Sequence, residues 1–160
     1  MEIELVSGLG YPEEIRELFS EYTQMLLESA PDFRAYLERQ HYDRELEHLE
    51  EKYGPPGGRL YLAQTDGEPA GCIGLRKIDD ASCEMKRLYV RPRFRGQSVG
   101  ALLVEQILED ARSIGYSRIL LDTFPFLQSA IRMYRGYGFV EVPSYNGSPM
   151  ESLVYLCLDL

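Results

Sequence analysis

A change of hydrophobic period between residues 59 and 90 is the feature that most limits the fold. Three apolar segments of strand length follow one another there: RLYLAQ (59–64), AGCIGLRKI (70–78) and CEMKRLYV (83–90). They are separated by Asp66-Gly67 and by the polar turn at Asp79-Asp80. Because connections this short join neighbouring strands as hairpins, the sequence predicts an antiparallel meander.

Helical periods lie on both sides of this meander. Residues 11–30 place apolar side chains three and four positions apart, which predicts an amphipathic helix. A second helix is predicted from Phe33 to about Lys52, with a break inside it, and GPPGG at 54–58 ends it. The period returns from Ser98 to Ser113, and Gly115 stands where a left-handed C-terminal cap is expected.

The remaining segments complete the order of elements. Strands are predicted at Ile3–Val6, 118–122, 137–142 and 152–160, and a shorter helix near Leu127–Arg135. The order β, α, α, β, β, β, α, β, α, β, β predicts an α/β chain with a mixed sheet, in which the meander precedes a βαβ crossover and helices cover both faces. Since no linker-like stretch divides residues 1–160, we expect a single domain.

Charge and hydropathy exclude several classes of partner. The net charge of −9 over 160 residues opposes binding to nucleic acid or to an anionic membrane. No stretch approaches the length of a membrane span, and the first residues lack the apolar run of a secretory signal. We therefore expect a cytoplasmic protein that binds neither nucleic acid nor membrane.

Neither the cysteines nor the histidines indicate a metal. Cys72, Cys83 and Cys157 form no CxxC pair and are expected to be reduced thiols in strands. His41, Glu45 and His48 share one helical stripe, but the surrounding HYDRELEHLEEK is so densely charged that a solvated face is the better interpretation. No metal site is predicted.

The connection RPRFRGQSVGALL (91–103) is a candidate anion site. It joins the end of a predicted strand to the start of a helix, where unpaired backbone N–H groups and the helix dipole attract negative charge. Glycines allow close backbone approach and three arginines supply countercharge. The spacing is neither a GxGxxG fingerprint nor a P-loop. From these residues alone, a phosphate cradle and an ordinary tight turn are equally open.

Two motifs carry a family resemblance. MKRLYVRPRFRGQSVGALL (85–103) resembles the acetyl-CoA-binding segment of the GNAT superfamily of N-acetyltransferases, whose pyrophosphate loop follows [QR]-x-x-G-x-[GA]. Ser98 stands where that pattern has its first glycine; serine is favoured at a helix N-cap, and its hydroxyl can donate to phosphate. SAIRMYRGYGFVEV (129–142) resembles the family's A-x-x-x-Y-x-x-x-G-F signature. The resemblance runs from roughly Leu60 to the end of the chain.

The resemblance implies an N-acetyltransferase that uses acetyl-CoA as co-substrate. The acetyl group would pass directly to a primary amine of a small molecule, an amino acid or a peptide, without a covalent acetyl-enzyme. The family also leaves a homodimer open. The rival interpretations are a protein that binds CoA without catalysis, and a transferase with another acyl-CoA or an O-linked acceptor.

The resemblance also implies roles for particular residues. Tyr134 would protonate the departing thiolate, and Glu84 would be the general base; for Glu84 an ion pair with Lys86, Arg87 or a neighbouring strand is an equal alternative. The residues expected to contact the cofactor are Leu88, Tyr89, Val90, Arg95, Gly96, Gln97, Ser98, Val99, Gly100, Ala101 and Ser129. Each face of the strand at 83–90 mixes charged and apolar residues, which indicates a β-bulge, and the family has one here that opens a slot for pantetheine.

Overall fold

The computed structural model describes residues 2–148 and 152–160, which form one mixed sheet with helices on both faces. The strands are β1 (Ile3–Ser7), β2 (Arg59–Thr65), β3 (Glu68–Lys77), β4 (Ser82–Val90), β5 (Arg118–Thr123), β6 (Val140–Val142) and β7 (Val154–Asp159). The helices are α1 (Pro12–Ser29), α2 (Phe33–Arg39), α3 (Tyr42–Glu47), α4 (Leu49–Tyr53), α5 (Val99–Ile114) and α6 (Gln128–Gly136).

The strand order in the described sheet is β1-β2-β3-β4-β5-β7-β6. β4 and β5 are parallel and are connected through α5, whereas the other neighbouring pairs are antiparallel. Asp66 and Gly67 both have positive φ, 50° and 83°, as a two-residue type I′ hairpin loop requires. The predicted fold class, with its meander and βαβ crossover, is confirmed.

Alternation along the strands divides the core between the two faces of the sheet. Ile73 and Leu75 of β3 pack with α5 on one face, whereas Cys72 packs with α1 and α4 on the other. Gly115 ends α5 with φ of 108°, which confirms the predicted left-handed cap. No described helix is both long enough and apolar enough to cross a membrane.

The cysteine and β6 predictions have different outcomes. The three cysteines are free and lie in strands, as expected. The strand predicted over residues 137–142 is shorter, because the helix-terminal turn continues through Tyr137 and Gly138, whose φ is 104°.

The predicted second helix is broken twice. α2 ends before His41, whose φ of 56° lies in the left-handed region, and α3 ends at His48. The expected break is therefore confirmed, and it divides the stripe of His41, Glu45 and His48. The expectation of a solvated face is wrong for Glu45, which is only 4% exposed.

Glu45 is buried because it pairs with a charge on the sheet. Its two carboxylate oxygens accept hydrogen bonds from Arg87 Nε and Nη2, both at 2.9 Å, and from Lys52 Nζ at 2.6 Å. The Tyr53 hydroxyl also donates, at 2.8 Å. Burial alone would raise the pKa of Glu45, but Arg87 and Lys52 outweigh it and hold that pKa well below its ordinary value.

We predict that Glu45→Gln destabilises the fold strongly. Removing one partner leaves the Arg87 guanidinium buried without its countercharge, which typically costs about 3–5 kcal/mol. The free energy of unfolding, measured in urea, should fall accordingly. Glu51→Gln is the matched control, because Glu51 pairs with Arg44 at the surface and its loss should change stability little. Equal losses in the two variants would contradict this account.

Candidate active site

A β-bulge in β4 separates this strand from β5. Gly74 of β3 faces Lys86, whereas Cys72 faces Tyr89, so that Arg87 and Leu88 together lie opposite Ile73. On the other side, β4 and β5 pair only as far as Glu84 and Leu120. The predicted bulge is confirmed, and beyond it the two parallel strands diverge.

Arg87 adopts the backbone conformation that the bulge demands. Its φ is 60°, in a region that costs a non-glycine residue about 1–2 kcal/mol. The Arg87 guanidinium is held by both oxygens of Glu45 and donates to Gln40 Oε1 at 2.8 Å. These contacts tie the left-handed residue to α3 and to the end of α2.

A cavity of about 590 Å³ occupies the space between the diverging strands. Its lining brings together most of the residues that the sequence assigns to the site: Leu88, Tyr89, Val90, Arg95, Gly96, Ser98, Val99, Gly100, Ala101, Ser129 and Tyr134. Gln97 and Glu84 do not line it. Gln97 Oε1 is instead buried, and no residue in the described part of the chain hydrogen-bonds to it.

The loop before α5 turns sharply at two positive-φ residues. Gly96 has φ of 78°, and Ser98, at the N-cap position of α5, has φ of 69° and ψ of 11°. The Ser98 side chain makes no capping hydrogen bond, so helix capping does not explain why serine occupies this position. The backbone conformation is the one that glycine adopts without cost, which explains why the pattern prefers glycine there. The first turn of α5 therefore lines the cavity, and its backbone N–H groups donate to no side-chain cap from Ser98.

The three arginines of this connection have different surroundings. Arg91 is bound by Glu17 and Glu21 of α1, and Arg93 pairs with Glu68. Arg95 donates from Nε to the Val90 carbonyl oxygen at 3.0 Å, lies over the Tyr89 ring and lines the cavity. Of the three, Arg95 is the one placed to meet a ligand's anion.

Tyr134 is a buried phenol at the wall of the cavity. It lies on α6, packs against the Phe139 ring at 5.7 Å between centroids, and is 6% exposed. Burial, and then the proximity of Tyr22 and Asp122, raise its pKa well above the ordinary value. The Tyr134 hydroxyl therefore holds its proton at neutral pH and can act as a donor rather than as a base.

Glu84 is held in an ion-paired cluster. Arg76 Nε donates to it at 2.6 Å, Lys86 Nζ lies 3.6 Å away, and the Tyr145 hydroxyl donates to its second oxygen. Burial alone would raise the pKa of Glu84, but Lys86 and Arg76 lower it to about 2. The ion pair that the sequence offered as the alternative role for Glu84 is therefore present. A carboxylate with so low a pKa is a weak base. The role of Glu84 as general base stays a prediction.

The carboxylate that lines the cavity belongs to Asp122, which sequence reasoning missed. It accepts hydrogen bonds from the Tyr36 hydroxyl and from Asn146 Nδ2, the latter at 3.0 Å. The available signal was its position: it follows the apolar run of β5, a strand whose carboxyl end adjoins the predicted slot. No cluster of histidine, cysteine and carboxylate side chains able to hold a metal occurs among the residues described.

Comparison with known proteins identifies the family. Residues 13–139 match the acetyltransferase (GNAT) family, and the chain belongs to it. An uncharacterized N-acetyltransferase of Schizosaccharomyces pombe is 34% identical, over 97% of this chain and 94% of that protein. An uncharacterized N-acetyltransferase of Dictyostelium discoideum is 28% identical over the full length of both chains.

Solved structures share the fold. An acetyltransferase of the GNAT family from Staphylococcus aureus superposes with a TM-score of 0.76, at 21% identity and 99% coverage of each chain. PaiA N-acetyltransferase from Thermoplasma acidophilum, solved in complex with coenzyme A, gives 0.76 at 17% identity over the whole of both chains. The resemblance drawn from the two motifs is thereby confirmed at the level of family and fold.

We predict that position 98 tolerates glycine and rejects branched residues. Ser98→Gly removes the left-handed penalty but adds backbone freedom to the unfolded chain, so its free energy of unfolding should rise by at most about 1 kcal/mol. Ser98→Val should lower it by about 1–2 kcal/mol, because a β-branched side chain fits this conformation worst. Urea unfolding measures both variants. Equal stability of the Val and Gly variants would contradict the backbone conformation described.

Proposed function

We propose that this protein transfers an acetyl group from acetyl-CoA to a primary amine by direct attack within a ternary complex. The observation that carries the proposal is a single cavity into which the loop before α5, the bulged part of β4 and Tyr134 all open. Membership of the GNAT family supports acyl transfer. The related structure from Elizabethkingia anophelis, at TM-score 0.57 over 65% of this chain, has acetyl-CoA bound.

The residues present can bind the two polar parts of coenzyme A, its pyrophosphate and the amides of its pantetheine arm. The start of α5 offers backbone N–H groups and the positive end of a helix dipole to a pyrophosphate, with Arg95 beside it. Beyond Glu84, the edge of β4 that faces β5 has no strand partner in the described sheet. Leu88, Tyr89 and Val90 can therefore offer backbone groups to the amides of a pantetheine arm.

The proposed reaction needs little from the protein beyond placement and one proton. The amine lone pair forms a bond to the thioester carbonyl carbon, and the carbon–sulfur bond then breaks. The sulfur leaves as a thiolate and takes the Tyr134 proton, while the ammonium of the acceptor loses its protons to water or to a carboxylate. Burial disfavours a phenolate and a thiolate alike. Tyr134 can therefore protonate the sulfur through a hydrogen bond that becomes a proton transfer as the carbon–sulfur bond breaks.

We predict that CoA raises the melting temperature of the protein and that a large residue at position 100 abolishes this shift. A ligand that binds only the folded state adds about 2.7 kcal/mol at one hundred times its Kd. A Cβ atom at Gly100 would have Val90 Cγ2, 3.7 Å away, as its nearest described neighbour outside the backbone of α5, so a side chain can start here, and that of Gly100→Leu should obstruct the cavity. Gly100→Ala is the control and should keep the shift. Absence of a shift in the wild type at saturating CoA would exclude CoA binding.

We predict that Tyr134→Phe lowers the turnover number by roughly 10²–10⁴, the range typical of a residue that transfers a proton. The stabilisation by CoA should be retained, because the ring still packs against Phe139. Thiol release from acetyl-CoA measures the first quantity, and thermal unfolding with CoA measures the second. A variant with unchanged turnover would rule out Tyr134 as the acid, and no thiol release by the wild type with any amine would favour a non-catalytic CoA-binding protein.

A further inference from the structure

The ammonium group of Lys86 has an ion-pair partner, Glu84, but no hydrogen bond to the described residues. The Lys86 side chain is 7% exposed and lines the cavity. Its Nζ lies 3.6 Å from Glu84 Oε1, beyond hydrogen-bond distance, and it makes no hydrogen bond to any other residue in the described ranges. Because a buried cation is costly unless it is paired and hydrogen-bonded, this group indicates a ligand that supplies an anion.

The countercharge already present is committed elsewhere. Glu84 accepts a 2.6 Å hydrogen bond from Arg76, and Glu45 is occupied by Arg87 and Lys52. The carboxylate of an acceptor would give the Lys86 ammonium the hydrogen-bond acceptor that these residues do not provide.

Asp122 occupies the corresponding position on the opposite strand. The last pair between β4 and β5 is Glu84 with Leu120, and two residues further along each strand are Lys86 and Asp122. Residues two apart share a face of the sheet, and both of these line the cavity. Tyr36 and Asn146 hold the Asp122 carboxylate in place by hydrogen bonds. The separating strands thus present a cation on one side and an anion on the other.

The wall beside these charges is aromatic. Phe33 and Phe124 pack edge to face with centroids 5.2 Å apart, and Phe126 stacks on Phe124 at the same distance. Phe126 is 43% exposed although it lines the cavity, which leaves apolar surface for a ligand to cover.

We propose that the acceptor is a free α-amino acid with an apolar or aromatic side chain. Lys86 binds its carboxylate, Asp122 holds its amino group, and the side chain contacts Phe124 and Phe126. An amine without a carboxylate would leave the Lys86 ammonium without a hydrogen-bond acceptor, whereas a zwitterion offers a partner to both Lys86 and Asp122. The assignment rests on the acetyl transfer proposed above and names the substrate class of that same site.

The proton balance follows from this placement. The bound ammonium passes one proton through Asp122 to water, and the freed lone pair forms the bond to the acetyl carbon. The nitrogen loses a second proton as the amide forms, and the thiolate receives one from Tyr134, which regains it from solvent. The sum is one N-acetylamino acid, one CoA thiol and one proton released to water.

The test compares acceptors that differ only in the carboxylate. Thiol release from acetyl-CoA is measured with phenylalanine, phenylalaninamide and phenethylamine, and with the other common amino acids. We expect kcat/KM for phenylalanine or another apolar amino acid to exceed that of its amide and its decarboxylated amine by at least about tenfold, as loss of a charged hydrogen bond in a buried site requires. A wild type that prefers phenethylamine or the amide overturns the assignment.

Variants separate the two charges. Lys86→Met should lower kcat/KM for the amino acid by about tenfold or more while sparing phenethylamine, and Asp122→Asn should lower both. Lys77→Met is the control, because Lys77 pairs with Asp80 at the surface and should change neither. The melting shift with CoA confirms that each variant folds with its cofactor site intact. Equal losses on both acceptors in Lys86→Met would overturn the role of this lysine.

Failure of this assignment can be told from failure of the proposed function. If amines without a carboxylate are acetylated and no amino acid is, acetyl transfer stands and the amino acid assignment falls. If no amine of either kind releases thiol although CoA raises the melting temperature, both fall.

Discussion

The buried pair of Arg87 and Glu45 is the interaction on which the site depends. It holds a non-glycine residue at φ of 60° in the middle of β4, and this residue forms the bulge after which β4 and β5 diverge. Without that divergence the two parallel strands would hydrogen-bond along their length and close the cavity. A buried ion pair contributes little net stability compared with apolar packing, so its value here is geometric.

The same pair connects the two halves of the site. Glu45 lies on α3, and Gln40, which lines the cavity, follows α2, so both short helices are hydrogen-bonded directly to the strand that would hold pantetheine. A displacement of these helices would move Arg87, and with it the backbone of Leu88 to Val90. The α2 wall of the cavity and the bulged part of β4 are therefore parts of one hydrogen-bonded unit.

Local patterns predicted the fold well, and long-range pairing decided what they missed. The meander, α5 and its Gly115 cap follow from period and turn residues, and the loop at residues 95–101 follows from its motif. The burial of Glu45 could not be predicted, because its partner is 42 residues away and its own neighbours in sequence are charged. Asp122 was missed for the same reason: its partners Tyr36 and Asn146 come from distant loops and helices.

A crystal structure of the protein with CoA bound would show directly whether the bulged strand and the loop before α5 hold the cofactor. We expect the pyrophosphate to lie at the backbone N–H groups between Gly96 and Ala101, pantetheine to follow the free edge of β4, and the sulfur to lie within hydrogen-bond reach of the Tyr134 hydroxyl. A CoA molecule bound elsewhere, or one whose sulfur points away from Tyr134, would contradict this expectation.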